Sequence, residues 1–317
     1  TVRIQITGDA PMILTDLTQR GDEVRRGAER VRRLSRAAVI ASVLATGCGS
    51  AFGQEDVSSS TGGADQADLA AAAQNPVAAM ISLPFQNNTF FRTGPDNDTA
   101  NVLNIQPVIP FSLGGDWNLV TRTIIPVIYL PSVTDSLPEI PNADTSGDDF
   151  GLGDINFTAY FSPVSTGIFT WGAGPSITLR TATSDRLGTQ KWSAGPAAVA
   201  LVTPKPWVAG TLVRQLWSFA GNSDRDDVSQ TLVQPFVNYN MAGGWYLVSS
   251  PVITVNWEAD KDNAVMLPVG GGVGRVFTVG TQAINAQVQG FYNAVRPDFA
   301  PQASLRLQLT FLFPKEK

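Results

Sequence analysis

The chain contains no histidine. That absence removes Ser-His and Asp-His catalytic pairs and histidine-based zinc sites together. A single cysteine, Cys48, excludes a disulfide framework. Charged side chains make up only 15% of the 317 residues, against about a quarter in ordinary soluble domains. No window approaches the 18 or so consecutive apolar residues of a membrane-spanning helix. The net charge is −5 and no basic patch lies outside the N-terminal arginines, which argues against nucleic acid as a partner. The run Gly270-Gly271-Gly272-Val273-Gly274 is followed by no lysine and no expected helix, so it reads as a strand kink or a narrow patch of wall rather than a phosphate cradle. The acidic clusters Asp96/Asn97/Asp98, Asp144/Asp148/Asp149 and Asp224/Asp226/Asp227 lack the spacing of a calcium loop. Asp148 and Asp149 read as a solvated turn rather than a catalytic pair. No enzyme activity, metal or cofactor is expected.

What is present is periodic. Along Ala303 to Phe313, Leu305, Leu307, Leu309, Phe311 and Phe313 share one parity, and Ser304, Arg306, Gln308 and Thr310 share the other. Side chains alternate faces along a strand, so one face is greasy and the other can be wet. A terminal strand ending on an aromatic fits a transmembrane barrel, although a soluble sheet can show the same alternation.

Upstream, Arg25, Arg26, Arg30, Arg32, Arg33 and Arg36 precede the apolar run Ala37 to Ala45 and then small residues up to Gly53. That order is a secretory signal with cleavage after Gly53; a lipoprotein site at Ala45 to Cys48 is the alternative. Residues 1–53 are thus an N-terminal extension and signal, 54–78 a periplasmic linker with a short helix, and 79–317 the barrel. The helix is expected over Asp65 to Gln74, ended by Asn75-Pro76.

Twelve strand candidates follow: 80–88, 101–112, 117–130, 151–162, 169–183, 193–203, 207–219, 228–240, 245–256, 265–276, 282–292 and 303–313. Short connections (113–116, 163–168, 204–206, 241–244, 277–281) alternate with longer ones (89–100, 131–150, 184–192, 220–227, 257–264, 293–302). An even-stranded outer-membrane barrel has this form, with tight periplasmic turns, longer external loops and periplasmic termini. Trp117, Trp171, Trp207 and Trp245 follow short connections, and Trp192, Trp217 and Trp257 lie near long ones, as two interfacial belts require. Nine prolines fall within the proposed strands: Pro84, Pro107, Pro110, Pro126, Pro175, Pro196, Pro235, Pro251 and Pro268. A regular ladder does not accommodate them.

The segment Gln74-Asn75-Pro76-Val77-Ala78-Ala79-Met80-Ile81-Ser82-Leu83-Pro84-Phe85-Gln86-Asn87-Asn88 resembles bacterial neuromedin-U-like, transporter-annotated proteins, which are similar to the MetA-pathway of phenol degradation family of outer-membrane proteins. The block Gln106 to Phe111, then Trp117-Asn118-Leu119, Arg122 to Pro126 and Gly151-Leu152-Gly153-Asp154, also looks like this group. The resemblance runs from about Leu69 to the C-terminus. It implies an outer-membrane barrel passing small solutes, hydrophobic or aromatic ones among them, and carries over no binding residues.

The expected fold is all-β: a transmembrane antiparallel up-and-down barrel of about twelve strands with a short N-terminal helix. An arginine facing lipid at mid-depth costs roughly 2–4 kcal/mol, so parity places Asn104, Gln106, Arg122, Asp154, Asn156, Arg180, Arg214, Asn285, Gln287, Gln289, Arg306 and Gln308 inside. There they either line a passage that favours anionic or polar solutes, or pair with one another and fill the interior. The implied partners are outer-membrane lipid, small-molecule solutes and, during biogenesis, the barrel-assembly machinery. The leading function is a channel. The alternatives are a non-transporting barrel acting through its external loops and, more remotely, a soluble β-sandwich.

Overall fold

The computed structural model describes residues 69–131, 148–164 and 167–314, with the backbone of a small ladder, Ser136–Leu137 against Ile140–Pro141. The expected signal segment, the start of the helix at Asp65 and most of the 131–150 connection lie outside the described residues.

Twelve strands follow one another in the chain: β1 Ile81–Thr93, β2 Asp98–Ile105 continued by Val108–Ser112, β3 Trp117–Leu130, β4 Asp149–Leu152 continued by Ile155–Pro163, β5 Phe169–Leu179, β6 Lys191–Val202, β7 Trp207–Gly221, β8 Ser229–Asn240, β9 Trp245–Ser249 continued by Ile253–Asn256, β10 Val265–Val279, β11 Gln282–Val295 and β12 Ala303–Phe313. Each pairs antiparallel with its sequence neighbours, and β1 pairs with β12 from Ile81↔Phe313 to Phe91↔Ala303. The sheet therefore closes on itself. Closure removes both edges, which no open sheet of this length would achieve in hydrocarbon.

Parity assigns the two faces. In β12, Leu305, Leu307, Leu309, Phe311 and Phe313 point outward, while Arg306 and Thr310 are buried inside at 7% and 3% exposure. Trp117, Trp171, Trp207 and Trp245 stand on the outer face at the short-turn end, and Trp192, Trp217 and Trp257 are exposed toward the long-loop end. Trp117 and Trp171 meet edge to face at 6.0 Å, and Arg275 lies 5.1 Å over the Trp245 ring. The outer skin is not wholly apolar, contrary to a strict in/out rule. Asn87 and Asn101 exchange amide hydrogen bonds of 2.9 and 3.1 Å on the outside, and Asn101 also donates to Thr89 at 3.0 Å. Mutual pairing is what makes such amides tolerable there, since an unpaired one costs several kcal/mol in an apolar medium.

The alternation of connection lengths fails at the first hairpin. β1 runs to Thr93 rather than stopping near 88, which leaves only residues 94–97 between β1 and β2. The polar and aromatic mix of Thr89, Phe90, Phe91, Arg92 and Thr93 hides the strand, yet Phe90 is buried inside and pairs with Ala100 and Ser304.

The nine prolines gather at breaks shared by adjoining strands. Pro84 faces the interruption of β2 at Gln106-Pro107, where its carbonyl accepts the Gln106 N–H at 2.9 Å; Pro110 lies beyond the last β1 pairing, Ser82↔Val108. Pro126 faces the interruption of β4 and accepts from the Gly153 N–H at 2.9 Å. Pro235, Pro251 and Pro268 converge on the break in β9: pairing with β8 lapses between Val237↔Ser249 and Val233↔Ile253, and a register shift in β10 sits at Leu267/Pro268. Pro175 and Pro196 are directly opposed in β5 and β6, and pairing lapses outward of each, toward β4 and β7. A proline orphans one neighbouring carbonyl, and placing breaks side by side lets one lapse in the ladder serve several prolines.

The two faces differ sharply in what they tolerate. Leu307→Arg is expected to destabilise the barrel by roughly 2–4 kcal/mol, although its neighbour Arg306 already carries a guanidinium on the inner face. A urea titration of folding into lipid vesicles reads the difference, and an unchanged midpoint would contradict the assigned outer surface.

Candidate functional site: a divided lumen

Parity brings eleven of the twelve expected residues to the interior. Asn104, Gln106, Asp154, Asn156, Asn285, Gln289 and Arg306 are buried, and Arg122, Arg214, Gln287 and Gln308 line the lumen while partly exposed. Arg180 is the exception. β5 ends at Leu179, so the alternation no longer governs residue 180, which is exposed and lines neither chamber.

The lumen is divided into two chambers. One, of about 130 Å³, lies toward the long loops; the other, of about 170 Å³, lies toward the short turns. Six residues border both: Gln86, Gln106, Arg122, Leu212, Gln234 and Arg306. They form a polar constriction between the chambers. Arg122 Nη2 donates to Gln106 Oε1 at 2.5 Å and lies against the Tyr160 hydroxyl. Arg306 Nε donates to Asn88 Oδ1 at 3.0 Å, its Nη1 reaches the Ser250 carbonyl at 2.8 Å, and its guanidinium stands 5.0 Å over the Phe291 ring.

Several interior polar groups satisfy backbone freed by the prolines. Ser250 precedes Pro251 in the β9 break; its N–H donates to Gln289 Oε1 at 3.0 Å and its carbonyl accepts from Arg306. Asn156 Nδ2 donates to Ser176 Oγ, Thr178 Oγ1 and the Ile177 carbonyl at 3.0–3.1 Å, bracing the β4–β5 ladder beside its lapse. The expectation of a paired, partly filled interior and that of a lined passage are therefore each met in part, by different residues.

Both mouths are occupied. At the short-turn end, a helical turn over 69–73 and the chain to Met80 sit inside the barrel. Ala70, Val77 and Met80 are buried; Val77 packs into a cluster with Val120, Tyr160, Leu212 and Phe236, and Met80 into one with Tyr246, Val248 and Leu312. Gln74 Nε2 donates to Asn240 Oδ1 at 2.8 Å. The alanine-rich composition of 70–73 suits a short helix that must pass within a narrow wall, because small side chains permit close approach. At the other end the β5–β6 connection folds inward. Leu187 is fully buried against Phe90, Val102, Ile128 and Leu130.

Asp154 holds that connection. Its Oδ1 accepts the N–H groups of Thr181 and Ala182, both at 3.1 Å, and its Oδ2 accepts from Thr189 N–H at 2.8 Å and Thr189 Oγ1 at 3.1 Å. The residue expected on polarity alone as part of a lining thus works as a loop anchor. Asp154→Ala is expected to cost about 3 kcal/mol, the scale of losing hydrogen bonds to a charged acceptor, and to accelerate amide exchange at Thr181, Ala182 and Thr189 selectively. Uniform exchange across the barrel would place the effect elsewhere. Above the same mouth, Lys191 donates to Asp227 at 2.9 Å; that bond, then one from Ser218, then the lysine's charge hold the exposed Asp227 carboxyl below its ordinary range.

The sequence reading missed Gln86, Gln234, Tyr160 and Tyr246. Gln86 shares parity with Asn88, Gln234 with Gln230 and Asn238, and Tyr160 with Asn156 and Thr158, so the signal existed. An aromatic on the wet face is simply indistinguishable, by parity, from an interfacial one. Tyr246 fills the space in front of Gly274 and donates to Asn285 Oδ1 at 2.5 Å, which gives part of the glycine run a packing purpose.

No protein-family model matches the chain, and no curated protein is detectably similar to it. Among solved structures, the COG4313 outer membrane channel from Pseudomonas putida F1 is similar with a TM-score of 0.56 at 17% identity, covering 74% of this chain and 94% of that one. Looser likenesses are the CymD monoaromatic hydrocarbon channel (TM-score 0.41, 10% identity, 86% and 96% covered) and the translocator domain of the autotransporter NalP from Neisseria meningitidis (0.34, 12%, 79% and 96%). At these identities the likeness speaks to architecture, and the first of them shares the closed antiparallel barrel described above.

Proposed function

We propose that the protein is an outer-membrane channel for small molecules in a Gram-negative bacterium, with both termini in the periplasm and the long loops outside. The carrying observation is the form of the obstruction: two chambers meet at a polar constriction, and the mouth below them is filled by the chain's own residues 69–80 rather than by the wall. A wall of twelve strands cannot widen without breaking its ladder, whereas a tethered segment can leave and return. A solved barrel of similar fold is described as an outer membrane channel, which supports the reading. The chambers, each near the volume of a single small ring, and the many apolar side chains around the upper one favour small hydrophobic or aromatic solutes.

Liposome swelling and planar-bilayer conductance with the purified barrel test this. Solute-dependent swelling is expected. Absence of flux for every solute class, with or without residues 69–80, would leave a non-transporting barrel that works through its external loops.

A further inference from the structure

We infer that the constriction is a carboxylate-binding site, selecting small amphipathic monoanions with an apolar body of about one ring; this rests on the channel reading and names its substrate class. Three guanidinium groups, those of Arg122, Arg214 and Arg306, line the chambers. Among the described residues that line them, the single carboxylate is Asp154. Its two oxygens already accept four bonds from the β5–β6 connection. The charge of the passage is therefore positive, although the chain as a whole carries −5.

The arginines converge. Arg122 and Arg214 act electrostatically on the same Tyr160 hydroxyl, from β3 and β7, and Arg306 borders the same upper chamber from β12. The printed partners of Arg122 and Arg306 are neutral: an amide oxygen, a carbonyl, hydroxyls and a ring face. Like charges gathered in a wall of low dielectric raise each other's energy, and an anion entering between them lowers it. A carboxylate suits guanidinium donors because its two oxygens match their fork.

The rest of the upper chamber selects the other half of the ligand. Leu212, Leu216, Leu232, Val228, Met266 and Phe291 line it. Its volume of about 130 Å³ is close to that of a dry protein cavity of about 150 Å³ that takes up benzene. One ring fits above the arginines, with its carboxylate directed down to the constriction. A cationic analogue meets the same positive field with the wrong sign.

The test is calorimetry on the full barrel in detergent, with benzoate, benzyl alcohol and benzylamine as probes. Benzoate is expected to bind about tenfold or more tightly than the alcohol, with no binding of the amine, a margin typical of one charged hydrogen bond. Arg122→Gln and Arg214→Gln are each expected to weaken benzoate about tenfold while leaving the alcohol unchanged. Equal affinity for benzoate and benzyl alcohol in the unaltered protein overturns the inference, and this comparison needs no variant to fold. If benzyl alcohol still passes in the swelling assay under that outcome, the channel reading stands alone. If no solute passes while benzoate binds as expected, the anion site stands and transport fails.

Discussion

Deleting residues 69–79 is expected to convert the barrel from a nearly sealed state to a conducting one, the largest functional change any short deletion here would cause. Those residues contribute Ala70 and Val77 to the interior and the lower lining through Ala72, Ala73, Gln74, Asn75, Pro76 and Ala78. β1 begins at Ile81 and closes against β12 independently of them. The strand ladder should therefore survive, while the lower chamber opens to water. A point substitution makes a graded version. Val77→Asp sets a carboxylate against Val120, Leu212 and Phe236, where an unpaired charge costs several kcal/mol. Each 1.4 kcal/mol shifts the seated-to-released ratio about tenfold. Single-channel recording is expected to show long open periods for the deletion and frequent brief openings for Val77→Asp. Equal conductance in all three proteins would place the barrier at the constriction or at the β5–β6 connection instead.

The deletion also separates two tasks that the same side chains share. Arg122, Gln106 and Arg306 border the lower chamber as well as the upper one, so a solute meets them whether or not the segment is seated. An opened barrel that prefers anions would show that the constriction, rather than the segment, sets charge selectivity. Arg306 is the poorer choice for mutation in such work, because it also holds the Ser250 carbonyl at the β9 break.

How much of this was readable from residues alone follows from which interactions are local. The strand Ala303–Phe313 was legible because parity is a property of one strand, and its outer face is uninterrupted by polar groups. Tryptophans marked strand ends for the same local reason. The end of β1 was not legible, since Arg92 and Asn97 take positive φ of 54° and 57° at a tight turn that neither residue type announces. The prolines were unintelligible strand by strand. Their logic is lateral, in that Pro235, Pro251 and Pro268 lie 16 or more positions apart in sequence yet meet at one break. Asp154 was assigned to the interior on parity, but its bonds run to residues 181–189, and only the folded loop assigns it an anchoring role. Arg180 marks the limit of parity itself, which ends where the strand does.

Gly195→Ala and Gly174→Ala are each expected to prevent the barrel from closing, the largest structural effects of single substitutions in this chain. A Cβ at Gly195 would lie 2.0 Å from the backbone oxygen of Gln215 in β7, and one at Gly174 would lie 1.9 Å from that of Ala159 in β4. Neither obstacle is a flexible side chain that can swing aside. Each glycine precedes one of the opposed prolines, Pro175 and Pro196, and a proline offers no N–H to hold the neighbouring strand at ladder distance. The strands instead approach closely beside the prolines, and only a residue without a Cβ permits that approach. Relief would require β7 or β4 to retreat, widening lapses already present at Ala194↔Trp217 to Ala197↔Arg214 and at Thr158↔Ser176 to Phe161↔Ala173. A cost on the order of 4–5 kcal/mol is expected, at the top of the range for single replacements. Gly290→Ala supplies the control, because nothing lies within 4 Å of its added methyl on the outer face, and it should change stability by less than about 0.5 kcal/mol. Folded yield in vesicles and urea midpoints for the three variants decide the matter. Midpoints for Gly195→Ala and Gly174→Ala equal to that of Gly290→Ala would mean that β4–β7 do not approach as closely as the proline pair requires.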